Sequence, residues 1–277
     1  MCEGHGNWFS ESVSRMCDRY VQGKRLMIFF AAVMLLCLSG CAGGGAALGP
    51  GGPPKAREMV SPVHPAVDRI TAIAQIELVT AQGHYPIRAA MILQRPSYLR
   101  LEMLPVIGTP DFFLTASPDE LRIFIPSQNE FYSGKPTAEN LSRFLPWSFT
   151  LEEIVMILSS AYPPLDGANV SQESHPDGAL LRVDMRTPAG PSQTIWMAKN
   201  ERLVKLIRYD SLGRETYQAV FDDYRPGSAL AGKIVIQWAD NVTSVSVKYS
   251  DLNVEKNGDP SIFKLPAPPG SKPIHLD

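Results

Sequence analysis

One cysteine of this sequence is placed where its sulfur could be chemically modified. In the segment that ends at Cys41, Lys24 and Arg25 precede 13 uncharged residues, 26–38, and the small pair Ser39-Gly40 follows. Roughly 20 apolar residues are needed to cross the hydrocarbon of a bilayer, whereas the apolar part of a secretory signal takes about 7–15. The run is therefore too short to span a membrane, and it predicts a cleaved export signal that ends beside Cys41.

The four residues Leu38-Ser39-Gly40-Cys41 resemble the cleavage site of bacterial lipoprotein signal peptidase. The resemblance implies cleavage before Cys41, a diacylglycerol group on its thiol and an acyl chain on the new amino terminus. The alternative is an ordinary secretory cleavage site that releases a soluble periplasmic protein. The Gly-, Ala- and Pro-rich stretch 42–54 favours the anchored form, because a tethered domain needs a linker that does not pack. Several acyl chains on one residue would hold the protein firmly at a membrane, since each buried methylene contributes about 0.8 kcal/mol.

Other residue types that do chemistry are not grouped in the sequence as a catalytic or metal site would require. The adjacent carboxylates Asp222-Asp223 and Glu152-Glu153 would point in different directions from a strand or a helix. No G-x-S-x-G, phosphate-loop or dinucleotide-binding motif occurs in the body. The histidines lie outside any metal-binding spacing, and we expect them in loops: His64, His84, His175 and His275. We therefore predict that the protein is not an enzyme and binds no metal or cofactor apart from the covalent lipid on Cys41.

Composition limits the class of protein further. Hydrophobic residues make up 44% and charged residues 19% of the chain, so a substantial core is available. The net charge is −2, and no basic run follows the signal, which argues against nucleic acid as a partner. All four cysteines lie at or before Cys41, so an exported body must be stabilised by packing rather than by disulfides. We divide the chain into an extension with the signal, 1–40, an acylated linker, 41–64, and a single domain, 65–277.

Alternation of apolar and polar residues predicts the elements of this domain. It begins in 70–78 and recurs in five more runs, with turn residues such as Ser117-Pro118-Asp119 between them. The pattern predicts antiparallel strands at 70–78, 87–93, 99–103, 112–116, 121–125 and 131–133.

The pattern changes in 137–164, where we predict a helical, lid-like segment that ends at Pro163-Pro164. Thr150 and Glu153 form a capping box, which starts a helix. Its polar side is narrow, with Glu152, Glu153, Ser159 and Ser160 only. A helix that is apolar nearly all round is buried on more than one side or covers an apolar cavity. The apolar residues are Leu151, Ile154, Val155, Met156, Ile157, Leu158 and Tyr162.

A second series of alternating runs follows this segment. Because strands do not alternate with long helices, a parallel α/β fold is excluded, and a strongly curved antiparallel sheet wrapped around helices fits best. The predicted strands are 179–186, 194–198, 203–209, 214–221, 233–238 and 244–249.

Several segments carry a resemblance to a known family. In 96–110, Pro96 and Arg100 enter a strand and Pro105-Val106-Ile107-Gly108 leaves it, which resembles the LolB outer-membrane lipoprotein receptor. Segments 209–214, 221–224 and 233–236 resemble the last hairpins of the wider LolA/LolB-like fold. The resemblance covers about 70–249 and implies a mainly β (α+β) fold: an incomplete barrel of about 11 strands with an α-helical lid. It also implies a cavity that takes the acyl chains of lipoproteins delivered by a periplasmic LolA-type carrier.

The resemblance places a membrane-insertion loop at Val106 and Ile107. In the family, a protruding apolar residue of this loop is needed to place lipoproteins in the membrane, and by position it falls on Ile107. An exposed isoleucine would gain about 1.5–3 kcal/mol on burial, so lipid is a suitable destination. Two alternatives remain: Ile107 folds back on the core, or Val106 takes the role, because the loop has one residue more than the family pattern.

Two functions fit these features. The first is a carrier whose acyl-chain cavity is lined by Leu99, Leu101, Met103, Leu151, Ile154, Val155 and Leu158. The second is a structural or scaffold envelope lipoprotein in which the same side chains form a solid core, because a core and a cavity wall use the same residue types.

Location and partners follow from the resemblance. Ala42, rather than aspartate, follows the cysteine, which implies anchoring in the outer membrane on its periplasmic face. The expected protein is a monomer whose partners are membrane lipid, lipoprotein acyl chains and a LolA-type carrier. The C-terminal extension, 257–277, contains Phe263-Lys264-Leu265-Pro266 and resembles that of lipoproteins with the same fold and no assigned function.

Overall fold

The computed structural model describes residues 68–145, 149–165, 169–256 and 258–276. They belong to one compact unit, Glu58–Asp277. The predicted signal and linker, 1–40 and 41–64, and the acylation site Cys41 lie outside the described residues. None of the helices in the described ranges has the length and apolarity needed to span a bilayer.

The first half of the unit is a meander of six antiparallel strands, as predicted. Apolar residues at alternate positions of the first strand, from Ile70 to Ile76, turn to one face and are buried there. Neighbouring strands in register bury their own apolar sets on the same face, which becomes the core side of the sheet. The strands are β1 Asp68–Thr80, β2 Gly83–Gln94, β3 Tyr98–Met103, β4 Phe113–Ala116, β5 Leu121–Ile125 and β6 Glu130–Gly134.

Two short helices, α1 Ala138–Ser142 and α2 Leu151–Leu158, follow the meander. The capping box of α2 is confirmed. Thr150 Oγ1 accepts the Glu153 N–H at 3.1 Å, and the Glu153 carboxylate accepts the Thr150 N–H at 3.0 Å. All six apolar residues of α2 are buried, as its pattern predicts. The helical segment therefore lies against the core face rather than on the surface.

The predicted end of this segment is wrong in two respects. The helix ends at Leu158 rather than at Pro163-Pro164, and Ser160 adopts a left-handed backbone with φ of 59°. Ser159 and Ser160 are buried, not exposed, at 0% and 4%. Ser159 Oγ donates to the Met156 carbonyl at 3.1 Å, and Ser160 Oγ accepts the Ala231 N–H at 2.8 Å. The serines are buried because their hydroxyls satisfy the backbone where the chain leaves the helix.

The second half returns to antiparallel strands. The six predicted strands are confirmed, and β7 precedes them. The sequence does not reveal β7 because it lies at the edge of the sheet, has no apolar alternation and contains Pro176. The strands are β7 Ser171–Asp177, β8 Leu180–Arg186, β9 Ser192–Met197, β10 Leu203–Tyr209, β11 Glu215–Asp222, β12 Lys233–Trp238 and β13 Ser244–Tyr249.

All strands belong to one sheet that starts at β15 and ends at β7. Its order is β15-β6-β5-β4-β3-β2-β1-β13-β12-β11-β10-β9-β8-β7, with β14 (Asn253–Lys256) beside the start of β1 and β15 at Lys272–His275. The predicted fold class is confirmed: the protein is mainly β, with a large, curved, open sheet and few helices. The structure describes 15 strands, so the expected number of about 11 was too low.

The last residues, 258–276, cross the face of the first meander that is opposite the core, and we call them the C-terminal strap. Three strand arginines donate to strap carbonyls: Arg69 to Asp259 at 3.1 Å, Arg100 to Ile262 at 2.8 Å and Arg122 to Leu265 at 3.0 Å. The side chain of Phe263 is buried, and the centroid of its ring lies 5.3 Å from that of Tyr98. The strap ends in β15, which pairs in parallel with β6.

Candidate functional site

The β3–β4 connection, residues 104–112, carries the most exposed large apolar side chains among the described residues, and we call it the prong. Its base is fixed by hydrogen bonds. The Leu104 N–H donates to the Arg88 carbonyl at 2.7 Å, and the Met103 N–H donates to the Phe112 carbonyl at 3.1 Å. Asp111 Oδ1 accepts the Ser127 N–H at 2.7 Å. The tip is therefore held out from the sheet by a well-anchored base.

The tip of the prong presents two apolar residues to water. Val106 is 101% and Ile107 is 90% exposed. Gly108 follows with φ of 100°, a conformation that favours glycine, and Pro105 restricts φ before the tip. The alternative in which Ile107 folds back on the core is therefore wrong. Both side chains project, so the tip presents two apolar residues rather than one.

An open groove of about 650 Å³ lies at the base of the prong. It forms because β2 pairs with β1 along Gly83–Gln94 but with β3 only from Ala89 to Gln94, so the β1–β2 hairpin extends beyond β3. The volume falls within the range of roughly 300–1,000 Å³ that is common for ligand sites. Apolar walls and a few charges line it: Ile76, Pro86, Ile87, Met103, Leu104, Pro105, Val106 and Phe112, with Gln75, Glu77, Arg88 and Asp111.

A smaller apolar pocket of about 40 Å³ lies between this part of the sheet and the helical segment. Ile76, Ile87 and Met103 line both spaces, and Phe144 and Leu145 close the pocket from the helical side. Leu78 and Leu101 complete its wall. The volume of this pocket is far below the roughly 300–1,000 Å³ that is common for ligand sites, so the pocket as described does not hold an acyl chain.

The structure brings only some of the seven predicted cavity residues to this pocket. Leu101 and Met103 line it. The others are buried in the contiguous core cluster, where each is at most 7% exposed: Leu99, Leu151, Ile154, Val155 and Leu158. For these five residues, the described contacts are those of a packed core.

Two polar contacts hold the end of α2 against the sheet. Arg95 donates to Ser159 twice, from Nε to Oγ at 2.8 Å and from Nη2 to the carbonyl at 2.7 Å. The Tyr249 hydroxyl donates to the Leu158 carbonyl at 2.8 Å, and burial raises the pKa of Tyr249 above its ordinary value. These donors pair with carbonyls that would otherwise lack a hydrogen-bond partner at the buried helix end.

A second polar group holds the start of α2. Arg208 Nη1 donates to Gln193 Oε1 at 3.0 Å, and its Nη2 lies 3.9 Å from Glu153 Oε1. Gln193 in turn donates to the Pro163 carbonyl at 3.0 Å. Burial and the nearby Glu153 carboxylate raise the pKa of Tyr217. Sequence reasoning missed Arg95, Arg208 and Tyr249, since each pairs with a distant segment and none stands in a motif.

The described histidines and carboxylates show no metal site. Within the described ranges, no group of three or more His, Cys, Asp or Glu side chains is placed to hold a metal ion. The prediction that the histidines lie in loops is wrong for three of them. His84, His175 and His275 lie in β2, β7 and β15, and His64 lies outside the described residues.

Comparisons with known proteins give a structural likeness only. No protein-family model matches the chain, and neither does any curated protein. A LolA superfamily protein from Nitrosomonas europaea is 13% identical, with a TM-score of 0.51 over 73% of this chain and 92% of that one. A DUF1329 family protein from Desulfovibrio piger is 11% identical, with a TM-score of 0.53 over 73% and 91%. The described unit therefore has a LolA-like fold.

Proposed function

We propose that this protein is a membrane-anchored lipoprotein that binds acyl chains and helps to transfer lipoproteins or lipids into the outer membrane. The observation that carries the proposal is the prong, where Val106 and Ile107 project fully into water from a fixed base. Each of these side chains would gain about 1.5–3 kcal/mol on burial. A loop that is anchored at its base and exposes an apolar tip to water is suited to enter lipid.

The groove beside the prong gives a bound acyl chain a place to lie. Its walls are mostly apolar, it is open to solvent, and Val106 of the prong forms part of it. The small pocket beside Phe144 and Leu145 shares Ile76, Ile87 and Met103 with the groove. In this proposal an acyl chain lies first in the groove and extends inward when the helical segment moves. Because Val106 lines the groove and also projects from the prong, this side chain would contact both the cargo and the membrane.

Attachment and partners belong to the same proposal. A lipid on Cys41 would keep the protein at the periplasmic face of the outer membrane, where Ala42 is expected to direct it. A periplasmic LolA-type carrier would supply the acyl cargo to a monomeric protein. No catalytic step is involved, because transfer of a bound chain needs neither a nucleophile nor a cofactor.

One observation favours the alternative, a scaffold lipoprotein without cargo. Five of the predicted cavity residues lie in a packed cluster, and the small pocket has only about 40 Å³. Mass spectrometry of protein purified without added lipid tests for cargo. The carrier function predicts a co-purifying acyl compound or uptake of a fluorescent fatty acid. A protein that is free of lipid and takes up no fatty acid would contradict the carrier function and support the scaffold function.

The role of the prong is tested by Ile107→Glu, with Val220→Glu as the matched control. Val220 is 40% exposed on the face of β11 opposite the core, so both variants add a charge at an exposed apolar position. We expect Ile107→Glu to abolish acyl transfer to vesicles with little change in Tm, because burying a charge in lipid is costly. The control should transfer normally. Unchanged transfer by Ile107→Glu at unchanged Tm would contradict the proposal.

A further inference from the structure

Exposed apolar side chains of the described residues are concentrated at one end of the sheet. Eight large hydrophobic residues are exposed, and only Val220 and Val254 lie elsewhere. The other six lie in the prong, in two turns at the same end of the sheet, or in the strand ends that flank the β1–β2 turn: Val79, Tyr85, Val106, Ile107, Leu212 and Val242. Since Val106 and Ile107 account for only two of these, exposed apolar side chains at this end of the sheet are not confined to the prong.

Strand pairing shows why these connections share an end. Val79 pairs with Ser244, so the β1–β2 turn, 81–82, lies beside the β12–β13 turn, 239–243. The Ala239 N–H donates to the Thr216 carbonyl at 3.1 Å, which brings the β10–β11 turn, 210–214, to the same level. Together with the prong, we call these turns the rim. From β3 to β10 the rim crosses six strand spacings, roughly 30 Å.

Two of the rim turns are built alike. Asp210 Oδ1 accepts the N–H of Leu212 at 2.8 Å, and Asp240 Oδ1 accepts the N–H of Val242 at 2.9 Å. In each turn the carboxylate fixes the backbone so that the apolar residue two positions later points away from the sheet. Leu212 is 73% and Val242 is 48% exposed.

We infer that Leu212 and Val242 are additional membrane contacts, so that the rim as a whole, and not the prong alone, rests on an electrically neutral lipid surface. The inference depends on the proposed function, because it takes the prong as the first contact. A single side chain on each separate turn leaves no continuous apolar patch for a protein to cover. A lipid interface, in contrast, accepts isolated side chains.

Charges on the rim indicate which kind of lipid it contacts. The turns carry Asp111, Asp210 and Asp240 against Arg214, and Arg214 is paired with Asp210 at 2.8 Å. Hydrogen bonds from Thr243 and from the Val242 N–H hold the pKa of Asp240 below its ordinary value, so this carboxylate stays charged at neutral pH. A rim with excess negative charge would be repelled by anionic headgroups. Zwitterionic headgroups are therefore the better match.

Single-cysteine labelling of the full chain in vesicles tests the inference. The described body contains no cysteine, so a thiol introduced at position 107, 212, 242, 220 or 254 can carry an environment-sensitive dye. The unsubstituted chain, labelled in parallel, corrects for its own thiols. Vesicles of phosphatidylcholine and phosphatidylethanolamine supply the neutral surface. Emission wavelength and quenching by iodide then report whether each dye leaves water.

We expect dyes on Leu212→Cys and Val242→Cys to shift to the blue and to lose iodide quenching severalfold, as the dye on Ile107→Cys does. Dyes at positions 220 and 254 should stay as accessible as they are without vesicles. If only position 107 is shielded, the inference fails and the proposed prong stands. If positions 107, 212 and 242 all remain accessible, both fail. Shielding that appears only when a second protein is added would also overturn the inference.

Discussion

The guanidinium of Arg95 makes two hydrogen bonds to Ser159, a residue that lies 64 positions later in the chain and directly after α2. One bond goes to the hydroxyl and the other to the carbonyl, so a single side chain satisfies both acceptors at a helix end that is completely buried. A cation at a helix C-terminus is also favoured by the helix dipole. This contact joins the turn after β2 to the helical segment.

Replacement of Arg95 by methionine should destabilise the protein by about 1–3 kcal/mol, because a buried carbonyl and hydroxyl lose their donors. Amide exchange in α2 should accelerate more than exchange in β1. Arg182→Met is the control, since this arginine pairs with Asp184 at an exposed position. Equal losses of unfolding free energy in the two variants, measured by urea denaturation, would show that the Ser159 contact has no special role.

Tyr249 predicts how stability depends on alkaline pH. Burial raises its pKa in the folded state, whereas a tyrosine in the unfolded chain ionises near pH 10. Its contribution is therefore present below about pH 10 and is lost as the pH rises above that value, because unfolding then releases a proton. Tyr249→Phe should cost about 1 kcal/mol at neutral pH, since the bond to Leu158 is lost. Its stability should fall less steeply in urea titrations above about pH 10; parallel curves would contradict this assignment.

Phe263 predicts that the C-terminal strap can be loosened separately from the sheet. Phe263→Ala removes the ring that packs on Tyr98 and should weaken attachment of the strap by about 3 kcal/mol. Amide exchange should then rise in 258–276 while the strands of the second half stay protected. Phe124→Ala, a change on β5 outside the strap, is the control. Uniform loss of protection across the sheet in Phe263→Ala would show that strap and sheet unfold together.

The length of the linker should matter for transfer. The described chain begins at Asp68, and the 13 residues of β1 run roughly 40 Å toward the rim. The 26 residues 42–67 can span at most about 90 Å, so a prong anchored through Cys41 can reach its own membrane. Shortening this stretch to about eight residues limits the reach to about 28 Å and should abolish transfer without changing Tm. A Gly/Ser replacement of full length should retain transfer; activity of the shortened form would contradict the predicted geometry.

Much of the fold could be predicted because its signals are local. Strict alternation gave 12 of the strands, and Thr150 with Glu153 gave the start of α2. The exposed prong could also be anticipated, since Pro105 and Gly108 constrain four consecutive residues.

The parts that escaped prediction depend on distant partners. The strands β7 and β15 lie at sheet edges, where apolar alternation is not required, and β15 is defined only by its pairing with β6. Arg95 meets Ser159 through tertiary structure alone. The groove arises because β2 is longer than β3, a difference in strand length that no single segment reveals.

The position of β15 has a consequence for how the chain matures. β6 acquires its outer neighbour only when residues 272–275 are available, about 140 positions after β6 itself, and β1 likewise waits for β13 and β14. In the exported protein that we propose, a chain that emerges from its N-terminus would therefore hold the first meander with two unpaired edges until translocation ends. Unpaired edges invite pairing with other chains. Folding of this half is thus a late, non-local event, and a stalled or truncated precursor should be the form most dependent on periplasmic chaperones.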